Sequence, residues 1–176
     1  MSRVGHMDCD LGQYIFKPGN TIMENQDFTT TIMVEQQPAE VFNTLLNVRA
    51  WWSGLYEESF EGSSEKLGDE FTFLAGGGVH YTKQKLVELV PNKKVAWLVT
   101  EANLSFVDKT DEWNGTKISF EISQELGKTK IVFTHIGLVP EFECYDSCAP
   151  AWTQYVQERL TDVLAKANEE KQYQNN

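Results

Sequence analysis

Between Lys128 and Ala167 the hydrophobic period of the chain changes from two to nearly four, and no other stretch constrains the fold as much. Ile131, Phe133 and His135 recur at every second residue, as on one face of a β-strand. From Trp152 the apolar positions are Val156, Leu160, Val163, Leu164 and Ala167, the spacing of an amphipathic helix. On a helical projection they form one stripe with Tyr155 at its edge, while Gln154, Glu158, Thr161 and Ala165 lie opposite. Ser147 as N-cap would place Pro150 in the first turn, where no backbone N–H is needed. A helix of about 18–20 residues is about 30 Å long. Its apolar stripe requires cover from the rest of the chain.

The preceding sequence supplies that cover as strands. Asp27 to Glu35 alternates Phe28, Thr30, Ile32 and Val34 with Thr29, Thr31 and Met33, a β-branched pattern that predicts a strand. Pro38 opens a short helix at its first position, with Glu40 in the first turn and Val41, Phe42, Leu45 and Leu46 on the buried side. Val48 to Gly54 predicts a second short helix that turns the chain back. Strands then follow over Asp69–Ala75, Val79–Val90 and Lys94–Glu101, with another short one at Leu104–Val107. Asn114-Gly115 is a hairpin signal, Ile118, Phe120 and Ile122 alternate after it, and Gly127 marks the turn into the last strand. Because the alternation leaves one face polar, the sheet should cover the long helix on one side only.

The length of 176 residues suits one domain, read as 26–168, between an N-terminal extension at 1–25 and a polar tail at 169–176. A net charge of −11 argues against nucleic acid and anionic membrane as partners. No apolar run approaches membrane-spanning length, and the N-terminus lacks the apolar core of a secretion signal. Three cysteines, an odd number, read as reduced thiols. The expectation is a cytoplasmic protein, monomer or homodimer.

Several short motifs, in this order, resemble the SRPBCC or START-like superfamily. They are Pro38-Ala39-Glu40-Val41-Phe42, Arg49-Ala50-Trp51-Trp52-Ser53, Gly68-Asp69-Glu70-Phe71, Val90-Pro91 before a Trp-bearing strand, Thr134-His135-Ile136-Gly137-Leu138, and Trp152. Within that superfamily the chain is most similar to bacterial proteins like the C-terminal domain of the activator of the heat-shock protein 90 ATPase. The resemblance covers roughly residues 26 to 167. It implies an α+β helix-grip fold: a curved antiparallel sheet wrapped around a long C-terminal helix, with two short helices after the first strand. It also implies a cavity between sheet and helix able to hold a small apolar molecule.

On that fold, Phe71, Phe73, Trp97, Phe120, Phe133, Trp152 and Val156 point into the space between sheet and helix, as a cavity lining or as solid core. His135 shares the inward face of the last strand; it would anchor a ligand, act as acid or base, or be satisfied by neighbours. Of Trp51 and Trp52, one should face the core and the other be partly exposed, where it could gate the cavity; Trp52 is placed with the ligand-binding set. Cys144 and Cys148 do not match a zinc signature and are read as structural, so neither metal nor cofactor is expected. Gly76-Gly77-Gly78 has no following Lys-Ser/Thr and reads as a turn, not a phosphate loop. Ser147, His135 and Asp146 lack the nucleophile elbow of a hydrolase triad. Three functions remain open: non-catalytic binding of a small apolar or aromatic molecule, a chaperone-associated interaction domain, and a cyclase- or hydrolase-type enzyme using His135.

Overall fold

The alternating runs form strands, and alternation decides which side chains turn inward. A computed structural model describes residues 26–174, with side chains through residue 167; the expected extension at 1–25 lies outside the described residues. The chain runs β1 (Phe28–Val34), α1 (Pro38–Leu46), α2 (Val48–Trp51), β2 (Ser59–Gly62), β3 (Glu70–Ala75), a 3-10 turn at Gly76–Gly78, then β4 (His80–Val90), β5 (Lys94–Leu104), β6 (Lys117–Glu125) and β7 (Lys128–Ile136). A C-terminal helix follows as α3 (Tyr145–Thr153), a π-helical segment (Gln154–Leu160) and α4 (Thr161–Gln174). The strands form one antiparallel sheet in the order β1-β7-β6-β5-β4-β3-β2, curved around the helix in the helix-grip arrangement. The first strand lies beside the last, with Phe28 opposite His135 and Ile32 opposite Ile131.

Register places the inward residues of neighbouring strands side by side. Phe73 pairs with Thr82, Phe71 with Gln84, Trp97 with Ile118, and Phe120 with Phe133. These positions are buried, while the outer face carries ion pairs such as Lys94–Glu88 at 2.8 Å and Lys83–Glu70 at 2.6 Å. Helix α1 begins on Pro38, and the Gln37 backbone N–H donates to Glu40 Oε2 at 3.0 Å. Its buried Val41, Phe42 and Leu45 join the core beside the sheet.

The helix departs from the sequence reading in instructive ways. It starts at Tyr145 with Cys144 as N-cap, not at Ser147, and Pro150 therefore lies inside it. The cause is tertiary: the buried Glu112 carboxylate accepts the backbone N–H groups of Glu143 (2.6 Å) and Cys144 (3.0 Å), capping the helix from another loop. The buried stripe is Cys148, Trp152, Val156, Leu160 and Leu164, a repeat of four residues, with Tyr155 buried as well. On a 3.6-residue helix a four-residue repeat drifts around the axis, and the wider turn of the π segment counters that drift. The stripe ends at Leu164, whose carbonyl accepts from Gln36 Nε2 at 2.9 Å; Ala167 is exposed.

Four further differences lie outside the long helix. Strand β2 is short and has no clear alternation, so its sequence gave no strand signal. It pairs with β3, and Gly62 is required there: at φ +101° its added Cβ would lie 2.3 Å from the Glu70 carbonyl oxygen. Strand β5 continues to Leu104, and Ser105–Val107 turn away from the sheet in place of the separate strand expected at Leu104–Val107. Asn114-Gly115 does not close a two-residue hairpin; it ends a longer loop, held where Gly115 N–H donates to the Val99 carbonyl at 2.9 Å. That loop carries Trp113 into the core. Finally, both Trp51 and Trp52 are buried. The backbone leaves the helical conformation at Trp52, letting its ring stack on Phe73 at 4.4 Å while Trp51 meets Phe120 at 5.2 Å.

Trp152 is the point where these parts meet. Its ring lies 4.7 Å from Phe133 of β7, 4.9 Å from Trp52 and 6.0 Å from Trp113. Replacing Trp152 with Ala should lower unfolding free energy by about 3–5 kcal/mol, read from the denaturant midpoint at constant slope. An unchanged midpoint would contradict its place at the centre of the core.

Candidate functional site

Sheet and helix do not close completely at the end where the 3-10 turn meets α3. A cavity of about 250 Å³ lies there, walled by Trp52, Phe73, Ala75, His80, Trp113, Cys148, Ala151, Trp152 and Tyr155. Tyr56, Val79 and Phe106 stand at its margin, 41%, 43% and 42% exposed, and Gly76 and Ser147 complete the lining. The wall is apolar because aromatic rings from the helix, β3 and two loops converge on one end of the sheet.

The polar atoms on this wall are mostly engaged. Trp152 Nε1–H donates to His135 Nδ1 at 2.9 Å. An indole nitrogen can only donate, so Nδ1 is the lone-pair nitrogen and Nε2 carries the proton. That Nε2–H donates to Thr116 Oγ1 at 2.8 Å, and the Thr116 hydroxyl donates to the Trp113 carbonyl at 2.7 Å. Trp113 Nε1–H returns to the helix by donating to Cys144 Sγ at 3.2 Å. Tyr155 hydroxyl donates to Glu58 Oε1 at 2.5 Å, and Tyr56 hydroxyl to Gln154 Oε1 at 2.5 Å.

Glu58 also accepts backbone N–H groups of Gly54, Leu55 and Tyr56, which shapes the loop at the mouth. Burial alone would raise its pKa, yet the Tyr155 and backbone hydrogen bonds outweigh that and hold the carboxyl below its ordinary value. Burial and the same carboxylate push the Tyr155 phenol up. The Cys148 thiol is pushed up by its hydrogen bond to Cys144 and by burial, which makes it a poor nucleophile. Among the described residues Cys144 and Cys148 are free thiols, and no group of three or more His, Cys, Asp and Glu is placed to hold a metal ion.

Of the residues singled out from sequence, Trp52, Phe73 and Trp152 stand on the cavity wall. Phe71, Trp97, Phe120, Phe133 and Val156 are packed behind it, all nearly inaccessible. His135 is fully buried with both nitrogens bonded inside the protein, which suits it to holding Trp152 in place rather than exchanging protons with a ligand. The histidine that does reach the cavity is His80, at the start of β4 beside Ala75 and Leu104. His80, Trp113, Phe106 and Ala151 escaped sequence reasoning. His80 opens an alternating strand and its parity with Thr82 and Gln84 could have revealed it; Trp113 sits alone in a charged loop, where periodicity carries no information.

The sequence and the fold both have known counterparts. Residues 25–165 match the family described as activator of Hsp90 ATPase homolog 1-like protein, and the chain belongs to that family. The solution structure of the Aha1 dimer from Colwellia psychrerythraea is 22% identical, with a TM-score of 0.60 over 78% of this chain and 95% of that one. A protein from Arthrobacter aurescens is 11% identical, with a TM-score of 0.61 over 81% of this chain and 88% of that one. One from Chromobacterium violaceum is 14% identical, with a TM-score of 0.57 over 78% and 96%. These structures share the fold with this chain. No curated protein matches it. Among the described residues no helix is long and apolar enough to cross a membrane.

The two inward histidines make stability depend on pH. Burial lowers His135 from 6.5 to about 3, with His80 adding to the shift, and lowers His80 from 6.5 to about 4. Between those values and 6.5 the unfolded chain binds more protons than the folded one, so stability falls as pH falls through this range and is fully present above it. For His135 the slope approaches about 1.4 kcal/mol per pH unit. Denaturation midpoints should therefore decrease from pH 7 to pH 5, and His135→Gln should show a shallower dependence. A wild-type stability level across that interval would contradict the assignment of neutral imidazoles.

Proposed function

For this member of the family, we propose non-catalytic binding, in the cytoplasm, of a small apolar or aromatic molecule in the cavity between the sheet and the C-terminal helix. The observation that carries the reading is the cavity itself: about 250 Å³, walled by aromatic rings, with exposed apolar side chains at its mouth. A cavity of about 150 Å³ is enough for benzene, so this one suits a ligand of about ten heavy atoms. Burial of one or two rings, less the cost of immobilisation, gives affinities of about micromolar. A chaperone-associated interaction role is the second reading, and the family match is the observation that favours it. The two differ in what they need, because a chaperone contact does not depend on an open cavity.

The test is titration with naphthalene or an apolar dye, followed through tryptophan emission, since Trp52, Trp113 and Trp152 surround the space. One site of about micromolar affinity is expected. Ala151→Trp should fill the cavity and weaken binding at least about tenfold while far-UV circular dichroism stays unchanged, because Ala151 is on the wall and only half-buried. Val156→Trp acts differently: Val156 has no free space beside it, and overpacking should cost about 1–3 kcal/mol. Dye binding that survives Ala151→Trp would place the ligand elsewhere and end this reading.

A further inference from the structure

We propose that His80 Nε2 is the hydrogen-bond partner of a ligand hydroxyl, so that the cavity selects neutral hydroxylated aromatics of the phenol or naphthol class. The inference rests on the cavity being the binding site. Its starting point is an imbalance among buried polar atoms. Trp152 and Trp113 spend their indole N–H groups on His135 and Cys144, and Tyr56 and Tyr155 spend their hydroxyls on Gln154 and Glu58. His80 Nε2 is buried, has no hydrogen-bond partner among the described residues, and belongs to a residue on the cavity wall. The other buried side-chain atoms without a partner among the described residues, Gln84 Oε1 and Trp97 Nε1, belong to residues away from the cavity.

The surroundings of His80 hold its ring in place. Trp113 meets it edge-on at 4.7 Å and Phe73 at 5.4 Å, while Phe106 stacks on it at 6.1 Å. The rings on these sides offer Nε2 no oxygen or nitrogen partner, so a group entering the cavity, a ligand hydroxyl in place of an ordered water, would satisfy it. A hydroxyl serves whichever tautomer His80 adopts, donating to a bare Nε2 or accepting from Nε2–H. A carboxylate fits poorly. Burial holds His80 neutral, pushed down to about 4, and among the described residues no cation lines the cavity to meet an anion. The rest of the ligand must then be apolar and flat enough to lie among Trp52, Trp113 and Trp152, which are already spaced as near-parallel or tilted rings.

The experiment compares 2-naphthol, naphthalene and 2-naphthoate on the full chain and on His80→Phe at pH 7. The wild-type protein should bind 2-naphthol about tenfold tighter than naphthalene, the return expected for one well-placed buried hydrogen bond, and should bind 2-naphthoate more weakly than 2-naphthol. His80→Phe should erase the naphthol preference, bringing the ratio of 2-naphthol to naphthalene affinity from about ten to about one. An equal preference in both proteins, or tighter binding of 2-naphthoate, overturns the role of His80 while leaving apolar binding intact. Failure of naphthalene and 2-naphthol alike to bind the wild type overturns the cavity reading and this inference with it. Should His80→Phe not fold, 15N-histidine labelling of the wild type decides: the His80 Nε2 resonance must shift with 2-naphthol and not with naphthalene, and an unmoved resonance overturns the proposal.

Discussion

The hydrogen bond from Trp152 to His135 is the contact on which the arrangement depends. It joins the C-terminal helix to the last strand in the middle of an apolar core, where an unpaired indole N–H or imidazole nitrogen would carry its full desolvation cost. Once made, it sets the rotation of the helix against the sheet and the tautomer of His135. The tautomer in turn directs Nε2–H to Thr116 and Thr116 to the Trp113 carbonyl. Trp113 closes the circuit through Cys144, the N-cap of the same helix, about two turns before Trp152. A buried polar network of this kind specifies one packing, because partial versions of it are worse than an apolar core.

The circuit also explains why a cavity persists beside so dense a core. Trp113 reaches inward from the loop between β5 and β6, and Glu112 next to it caps the helix. The loop thereby fixes both the start of the helix and the aromatic wall facing the 3-10 turn at Gly76–Gly78. Further along, the π segment keeps Tyr155, Val156 and Leu160 directed at the sheet. Tyr155 is tied through Glu58 to the loop at the mouth, so floor, wall and rim of the cavity all answer to the helix position.

Two histidines on the same sheet face differ in their hydrogen bonding. His135 is neutral and fully partnered. His80 is neutral with Nε2 unpartnered among the described residues, and it lines the space that the aromatic rings leave open. Burial is the common cause of neutrality in both, and the difference between them is only which neighbours the fold brings within reach.

By itself the sequence determined the local periods: strands at β1, β3, β4, β5, β6 and β7, the paired short helices after β1, and an amphipathic helix at the end. Those follow from residue spacing, which any fold must respect. It also marked Trp152 as the helix residue facing the sheet, since Trp152 stands in phase with Val156, Leu160 and Leu164. Tertiary structure decided the rest. The helix begins at Tyr145 because Glu112, distant in sequence, caps it. Both Trp51 and Trp52 are buried because the backbone turns between them, which adjacency in sequence cannot express. His80 and Trp113 reach the cavity because the register of β4 with β3 and the path of a charged loop carry them there. Space left between packed rings is a property of how large side chains from distant segments fail to interlock, and no periodicity within one segment encodes that.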